Sequence, residues 1–361
     1  MSLAVVGYAS VSAALVYQLE HPIVQAPLAG GPSTPALAAA VVEAGGLGFL
    51  AAGYKAPNAV RSDIAELRRL TTRPFGVNLF APPGSAADPA ELDRYRTELS
   101  AEAERYGVEL GEPRHDDDAY EAKLALVVEE RVAVASFTFG CPARDIIESL
   151  HDAGAEAWAT VTTPGEAGAA TEAGVDTLVV QGVEAGGHRG SFDADEPGEL
   201  GLLALLQLVR AATDLPLVAT GGIATPHGIA AVLAAGASAA QLGTAFMLTY
   251  EAGTSAAHRE ALAGEASTAI TRAFTGRAAR GIENRFMREH DEGAPRGYPD
   301  VHHLTAPLRT AARERGDPDG INLWAGQAYG LAEQIPTGAL VRRLAQETRE
   351  ALNVASARFR Q

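Results

Sequence analysis

A chain of 361 residues with 47% hydrophobic and 20% charged side chains is long and apolar enough to bury a large core, which excludes an intrinsically disordered protein. Its 45 acidic residues outnumber 29 basic ones, and the formal net charge of −16 makes nucleic acid and anionic membranes poor partners. The one cysteine, Cys141, rules out an intrachain disulfide; in Phe139-Gly140-Cys141-Pro142 it reads more readily as a small buried residue than as a reactive thiol.

The apolar start, Met1 to Leu19, has no basic residue and is interrupted by Gly7, Ser10, Ser12 and Gln18. It therefore fits neither a secretory signal nor a membrane span, and the expectation is a segment packed on a cytoplasmic protein. Ile23–Pro27 then reads as a strand leading into Leu28-Ala29-Gly30-Gly31. Thr34 as N-cap and Pro35 at the first helical position open a helix through Val42, which Gly45-Gly46 stops. A strand at Leu47–Leu50, a helix over Asn58–Leu70 and a third strand at Phe75–Phe80 follow, with Asn78 near the carboxyl end of the last.

At Ala81-Pro82-Pro83-Gly84 an insertion begins, with one charged helix over Pro89–Tyr106 and an acidic turn, Asp116-Asp117-Asp118. Adjacent carboxylates on a loop read as solvated rather than as a metal site. The alternation resumes with helix Tyr120–Glu130, strand Val132–Phe137, helix Ala143–His151, strand Ala157–Val161 and a helix opened by Pro164. The short strand Thr177–Val180 runs into Gln181-Gly182-Val183-Glu184-Ala185-Gly186-Gly187-His188-Arg189-Gly190, and a helix returns by Leu200–Leu208. Strand Leu217–Thr220, Gly221-Gly222, a helix to Ala235 and strand Ala239–Thr244 close the series; beyond Thr249 strand signals disappear.

Eight strands alternating with helices predict a (β/α)8 TIM barrel over residues 20–250, with an insertion after strand 3. Residues 251–361 form a smaller helical region covering the carboxyl face, the last helix packed back on the barrel. A doubly wound sheet would also alternate, but the glycine-rich loops at the last two strands favour the barrel. The first βα turn lacks a GxGxxG fingerprint, which argues against a Rossmann domain.

Barrels place their chemistry at strand carboxyl ends, which is where His188 falls. Gly186 and Gly187 let the backbone approach a ligand, although glycines also serve simple turns. Gly221-Gly222 and Gly243-Thr244, after strands seven and eight, offer bare amides to an anion. Asn78 and Gln181 suit the polar edge of a flat heterocycle, and Pro27, Leu28 and Ala29 an apolar wall. FMN meets these demands, with its phosphate on Gly222 and Thr244 and its ring near Gln181. A phosphosugar would want a lysine, a carboxylate pair or a metal at a strand end, and the nine histidines have no metal-ligand spacing.

Several stretches together resemble the nitronate monooxygenase family, formerly 2-nitropropane dioxygenases, in its bacterial FMN-dependent class. They are Gln25–Gly31, Phe75–Asn78, Ser136–Gly140, Gln181–Gly190, Ala219–Ile223, Gln241–Thr244, Phe274–Arg277 and Leu323–Gln327. Glu184–His188 is shared with FMN-dependent enoyl-acyl-carrier reductases, whereas Phe274–Arg277 and Trp324–Gln327 favour the nitronate group. The resemblance implies FMN contacts from Ala26, Pro27, Asn78, Gln181, Gly186, Gly187, Gly221, Gly222, Gly243 and Thr244, with His188 catalytic and Tyr298 walling the substrate pocket. Leu28 replaces a methionine common in the family, and His302 stands where a second pocket tyrosine is expected.

The activity so implied is oxidation of alkyl nitronates, such as propionate 3-nitronate, by O2 to a carbonyl compound and nitrite. His188 would act as an imidazolium steadying the anion or as a neutral base, both forms being accessible at an ordinary pKa of about 6.5. The competing readings are an FMN-dependent NAD(P)H reductase of quinones or enoyl thioesters, a metal-independent phosphosugar isomerase or lyase, and a non-catalytic flavin binder.

Overall fold

The computed structural model describes residues 14–358. The expectation for Met1–Leu19 therefore falls largely outside the described residues. The part within them holds one helical turn, Leu15–Gln18, whose Val16 is buried. Eight parallel strands form the barrel: β1 (Ile23–Gln25), β2 (Phe49–Ala51), β3 (Gly76–Phe80), β4 (Val134–Thr138), β5 (Glu156–Val161), β6 (Thr177–Gln181), β8 (Leu217–Thr220) and β9 (Ala239–Leu242), while β7 (Gly187–His188), between β6 and β8 in the chain, lies outside it. Their order around the ring is β1-β9-β8-β6-β5-β4-β3-β2. A bridge between Val24 and Leu47 joins the two ends, with Gln25 N–H donating to Leu47 O at 2.8 Å.

The period-2 alternation of a strand splits its side chains between two cores. Val24, Phe49, Val134, Trp158, Val179, Val218 and Ala239 pack together with Val16 in a cluster of their own. Gly76 contributes no side chain there, because a Cβ would lie 2.1 Å from the Phe49 ring. The alternate positions, such as Leu178 and Val180, join the large cluster shared with the surrounding helices. Five helices begin on proline (Pro35, Pro57, Pro89, Pro164 and Pro226), the position where a missing N–H costs nothing, so their starts are readable locally. The last helix, Thr337–Arg358, packs between helices Pro226–Ala234 and Pro35–Glu43 and adds Leu340, Val341, Leu344 and Ala345 to the barrel's core. No helix among the described residues is long and apolar enough to cross a membrane.

Three features depart from the sequence expectation. The single insertion helix is two, Pro89–Glu98 and Ser100–Tyr106, meeting at Leu99, whose φ of −76° and ψ of 0° are at the edge of right-handed helical backbone. The break turns Tyr95, Leu99 and Tyr106 into one cluster with Phe274, Phe286, Leu304, Leu308 and Leu323, so insertion and C-terminal region share a second core. Strand structure also continues past Thr249. Strands β10 (Thr268–Thr271) and β11 (Ala279–Ile282) make an antiparallel hairpin, and β11 pairs with β7 (Gly187–His188). The stretch Ala279–Ile282 carries an arginine and a glycine, and its pairing partner is only two residues long, so nothing local announces it. Third, the acidic turn is not merely solvated: Asp118 pairs with Lys123 at 2.7 Å and Asp116 with His303 at 3.0 Å.

Candidate active site

A cavity of about 630 Å³ opens at the carboxyl ends of the strands. Ala26 and Pro27 line it from the end of β1, Asn78 from β3, and Gln181, Gly186, Gly187 and His188 from β6 and its loop. Gly221 and Gly222 follow β8, Gly243 and Thr244 follow β9, and His302 comes from helix Asp300–Glu314. Tyr298 alone of the residues named from sequence does not line the wall. It stands behind, its ring 5.7 Å from His188 and 5.3 Å from Phe139, with its hydroxyl donating to that of Tyr54 at 3.4 Å.

Around the loops after β8 and β9, the amides of Gly222, Ile223, Gly243 and Thr244 donate to no acceptor among the described residues. Gly222 has a φ of 67°, the left-handed region in which successive N–H groups converge into an anion-binding concavity. The expected help from the following helix is reduced, because Thr225 caps it by accepting from Gly228 N–H at 3.1 Å. The anion donors are thus those of the loop itself. Thr244 Oγ1 accepts from Gly326 N–H at 3.0 Å and keeps its own hydroxyl proton for another partner.

Arg189, adjacent to His188 and given no role by sequence, fixes the neighbouring loop. It is fully buried and donates to Gln181 Oε1 (2.9 Å), Gly182 O (2.6 Å), Gln181 O (3.2 Å) and Pro197 O (3.1 Å). Gln181 Oε1 also accepts from Gly190 N–H, which turns the amide NH2 toward His188 O, 3.1 Å away. At Gly186 an added Cβ would sit 2.5 Å from Gly326 N, so only glycine lets the Trp324–Gln327 segment close over the loop. That contact places the Trp324 ring 5.6 Å from His188.

His188 is held by pairing of β7 with β11 and is ringed by Phe139, Tyr298 and Trp324, each edge-on. Its Nε2 lies 2.9 Å from Thr275 Oγ1, whose own hydroxyl donates to Arg277 O at 3.3 Å. With that proton committed, Thr275 accepts from Nε2–H, and the lone pair is left on Nδ1. Burial first, then the positive charges of Arg277 and Arg309, push the imidazole pKa down to about 3. The sequence expectation of a histidine able to take either form near neutral pH is therefore corrected: the ring is neutral.

Tyr54, also missed from sequence, lines the same cavity. Its φ is 66°, unusual for a bulky residue, and its amide donates to Asp118 Oδ1 at 3.1 Å. The ring stacks on His302 at 4.2 Å and meets Phe80 edge-on. Burial pushes its hydroxyl up to about 12, so it stays protonated. Arg277 lies over the Phe139 ring at 4.2 Å and Arg309 donates to His302 Nδ1 at 3.2 Å; neither reaches a carboxylate among the described residues. Cys141 is outside the cavity lining, and burial raises its thiol to about 11, which keeps it from acting as a thiolate.

Fold and site together define a (β/α)8-barrel enzyme whose mouth combines an anion nest, a neutral histidine and buried cations. The family model for nitronate monooxygenase matches residues 13–347. The chain belongs to the nitronate monooxygenase family and is an oxidoreductase. A nitronate monooxygenase of Pseudomonas aeruginosa is 43% identical over 343 residues, 92% of this chain and 97% of that protein. The crystal structure of a nitroalkane oxidase from Streptomyces ansochromogenes superposes with a TM-score of 0.92 at 51% identity, covering 94% of this chain and 99% of that one. FabK from Thermotoga maritima is more distant, with a TM-score of 0.74 and 27% identity over 94% of this chain and 96% of that chain.

Proposed function

We propose that this protein is a cytoplasmic FMN enzyme that oxidises alkyl nitronates, propionate 3-nitronate among them, with O2 to a carbonyl compound and nitrite. The observation that carries the reading is the convergence on one cavity of unpartnered amides at Gly222, Ile223, Gly243 and Thr244 with a neutral His188. Those amides and the Thr244 hydroxyl would take the phosphate of FMN, and Asn78 and Gln181 the polar edge of its ring. Asn78 is steadied for this by donating to Ser136 Oγ and Thr138 Oγ1, both at 3.0 Å. The bound flavin would supply one-electron chemistry that lets dioxygen react at the nitronate carbon.

The chain's own residues favour the anion over the neutral nitroalkane. Arg277 and Arg309 put positive charge on a desolvated site, which draws in a nitronate and weakens His188 as a proton acceptor. When the substrate arrives as a nitroalkane, Nδ1 receives its α-proton, and the nitronate formed in the same step offsets the positive charge and steadies the imidazolium beside it, while Nε2–H stays anchored on Thr275. Phe139, Tyr298 and Trp324 keep bulk water from the ring. The test is nitrite release by the purified protein from propionate 3-nitronate in air. Stoichiometric nitrite supports the reading, whereas a flavin that bleaches rapidly with NAD(P)H and yields no nitrite would make it a reductase.

A further inference from the structure

Tyr54 and Tyr298 share a single hydrogen bond, which leaves one of their two hydroxyl protons over. Tyr298 stands behind the cavity wall, and its hydroxyl donates to Tyr54 Oη at 3.4 Å; no other acceptor among the described residues takes that proton. Tyr54 lines the cavity, and its own proton goes to no acceptor among the described residues. A phenol that accepts one hydrogen bond is polarised into a better donor of the next. Burial holds its pKa at about 12 even against the Tyr298 hydrogen bond and the charge of Arg309, so the proton stays on the oxygen. The cavity wall thus carries a neutral donor that the chain itself does not satisfy.

The aim of that donor is fixed from several sides. The Tyr54 ring stacks flat on His302 at 4.2 Å, and Phe80 meets it edge-on at 5.3 Å. Gly53 makes room for the second contact, since a Cβ there would fall 2.3 Å from Phe80 Cε2. The backbone is held at a φ of 66° by Asp118, whose Oδ1 accepts from Tyr54 N–H at 3.1 Å. Asp118 Oδ2 pairs in turn at 2.7 Å with Lys123, a side chain only 2% exposed. A strained backbone in a bulky residue persists only where its surroundings over-determine it, and such sites gather where a side chain has to be aimed. A buried ion pair in the insertion therefore sets the direction of one phenol in the barrel mouth.

Tyr298 also relates this donor to the base. Its ring lies 5.7 Å from His188 and its hydroxyl touches that of Tyr54, so the imidazole and the free donor stand at opposite ends of one phenol. Removing the α-proton of a nitroalkane sends the C–H electron pair into a C=N bond and an N=O pair onto oxygen, so the negative charge appears on the nitro group. We propose that the Tyr54 hydroxyl donates a hydrogen bond to a nitro oxygen of the substrate and stabilises the charge that develops there while His188 Nδ1 takes the α-proton. The proposal rests on the nitronate chemistry above and names the group that acts opposite the base. Tyr54 keeps its proton throughout, and the step ends on an imidazolium beside a nitronate.

The test is Tyr54→Phe, which keeps both ring contacts and removes the hydroxyl. On nitroethane, kcat/KM should fall about a hundredfold, the usual worth of one donor to a developing oxyanion. The deuterium isotope effect on 1,1-dideuterated nitroethane should rise, because proton removal becomes the slower step. On ethyl nitronate, already charged, kcat/KM should fall only about tenfold, through KM. Tyr298→Phe, which leaves the Tyr54 proton in place, should cost only a few-fold. The double variant Tyr54→Phe/Tyr298→Phe removes the proton that the single change strands; it serves if Tyr54→Phe does not fold, and should show the same raised isotope effect. An unchanged isotope effect, or equal losses on nitroethane and its nitronate, would overturn the assignment. Nitrate, a planar anion with N–O oxygens like those of a nitronate, separates this step from the oxidation: calorimetry should show it binding about tenfold more weakly to Tyr54→Phe. That difference in a protein releasing no nitrite would sink the oxidation and leave the donor standing, whereas equal nitrate titrations of the two proteins would sink the donor.

Discussion

His188 Nε2 and Thr275 Oγ1 stand 2.9 Å apart, and because Thr275 also donates to Arg277 O, that one contact decides which ring nitrogen holds the proton. Thr275→Val keeps the shape and removes the acceptor. It should lower turnover of neutral nitroalkanes by roughly tenfold, in line with the loss of one hydrogen bond to a base. Turnover of preformed nitronates, which need no proton removed, should change far less, and Thr275→Ser should restore the loss. Parallel nitrite assays on nitroethane and ethyl nitronate check this.

The depressed pKa of His188 makes two pH predictions. Its value of about 3 in the folded chain lies below the ordinary 6.5, so the unfolded state binds the proton more tightly. His258, which burial takes to about 4, behaves alike. Stability should therefore fall as pH drops from about 6.5 toward 4, at up to about 1.4 kcal/mol per pH unit for each histidine. Thermal melts of wild type and His188→Gln between pH 7 and 5 should show a shallower decline for the variant. Correspondingly, kcat/KM on a nitronate should show no limb near 6.5 in the free enzyme; a limb there that His188→Gln abolishes would mean the ring is not neutral.

Gly222 ties the anion nest to the backbone. A Cβ at its φ of 67° is strained and would come within 3.0 Å of Glu184 Cβ. Gly222→Val should leave the barrel folded and reduce flavin content of the purified protein by at least about tenfold. Visible absorbance per mole of protein, with circular dichroism as the fold control, measures it.

Arg189 is a strut whose removal takes the donor from the carbonyls of Pro197 and Gly198, while Gln181 Oε1 keeps Gly190 N–H and Gly182 O keeps Ala185 N–H. Arg189→Met should destabilise the protein by roughly 3–5 kcal/mol, as for loss of a buried hydrogen-bonded cation. Denaturant unfolding would read the change, and a loss below about 1 kcal/mol would show that the loop does not depend on it.

The barrel was legible in the sequence because its signals are local: β-branched runs at Thr177–Val180 and Leu217–Thr220, and proline at helix starts. Glycine pairs marked the ligand loops for the same reason, since left-handed backbone and close approach are demands on single residues. What escaped notice was made by chain segments far apart. The β10–β11 hairpin takes its partner from β7, some 90 residues earlier by the Ala279–His188 pairing. Tyr54 owes its strained backbone to Asp118 in the insertion. Arg189 is polar enough in sequence to be read as surface, and only the convergence of five carbonyl or amide oxygens makes its burial tolerable. The neutrality of His188 likewise depends first on its burial and then on Arg277 and Arg309, which no spacing connects to it.

In the proposed function this cavity binds flavin and passes a nitronate's electrons through it to oxygen. Anaerobic stopped-flow mixing of the purified protein with propionate 3-nitronate, followed by admission of air, tests it most directly. A fast change in the flavin's visible spectrum is expected on mixing, with recovery and release of one nitrite per substrate when oxygen enters. A protein without visible absorbance, or one whose flavin responds to NAD(P)H and not to the nitronate, would contradict it.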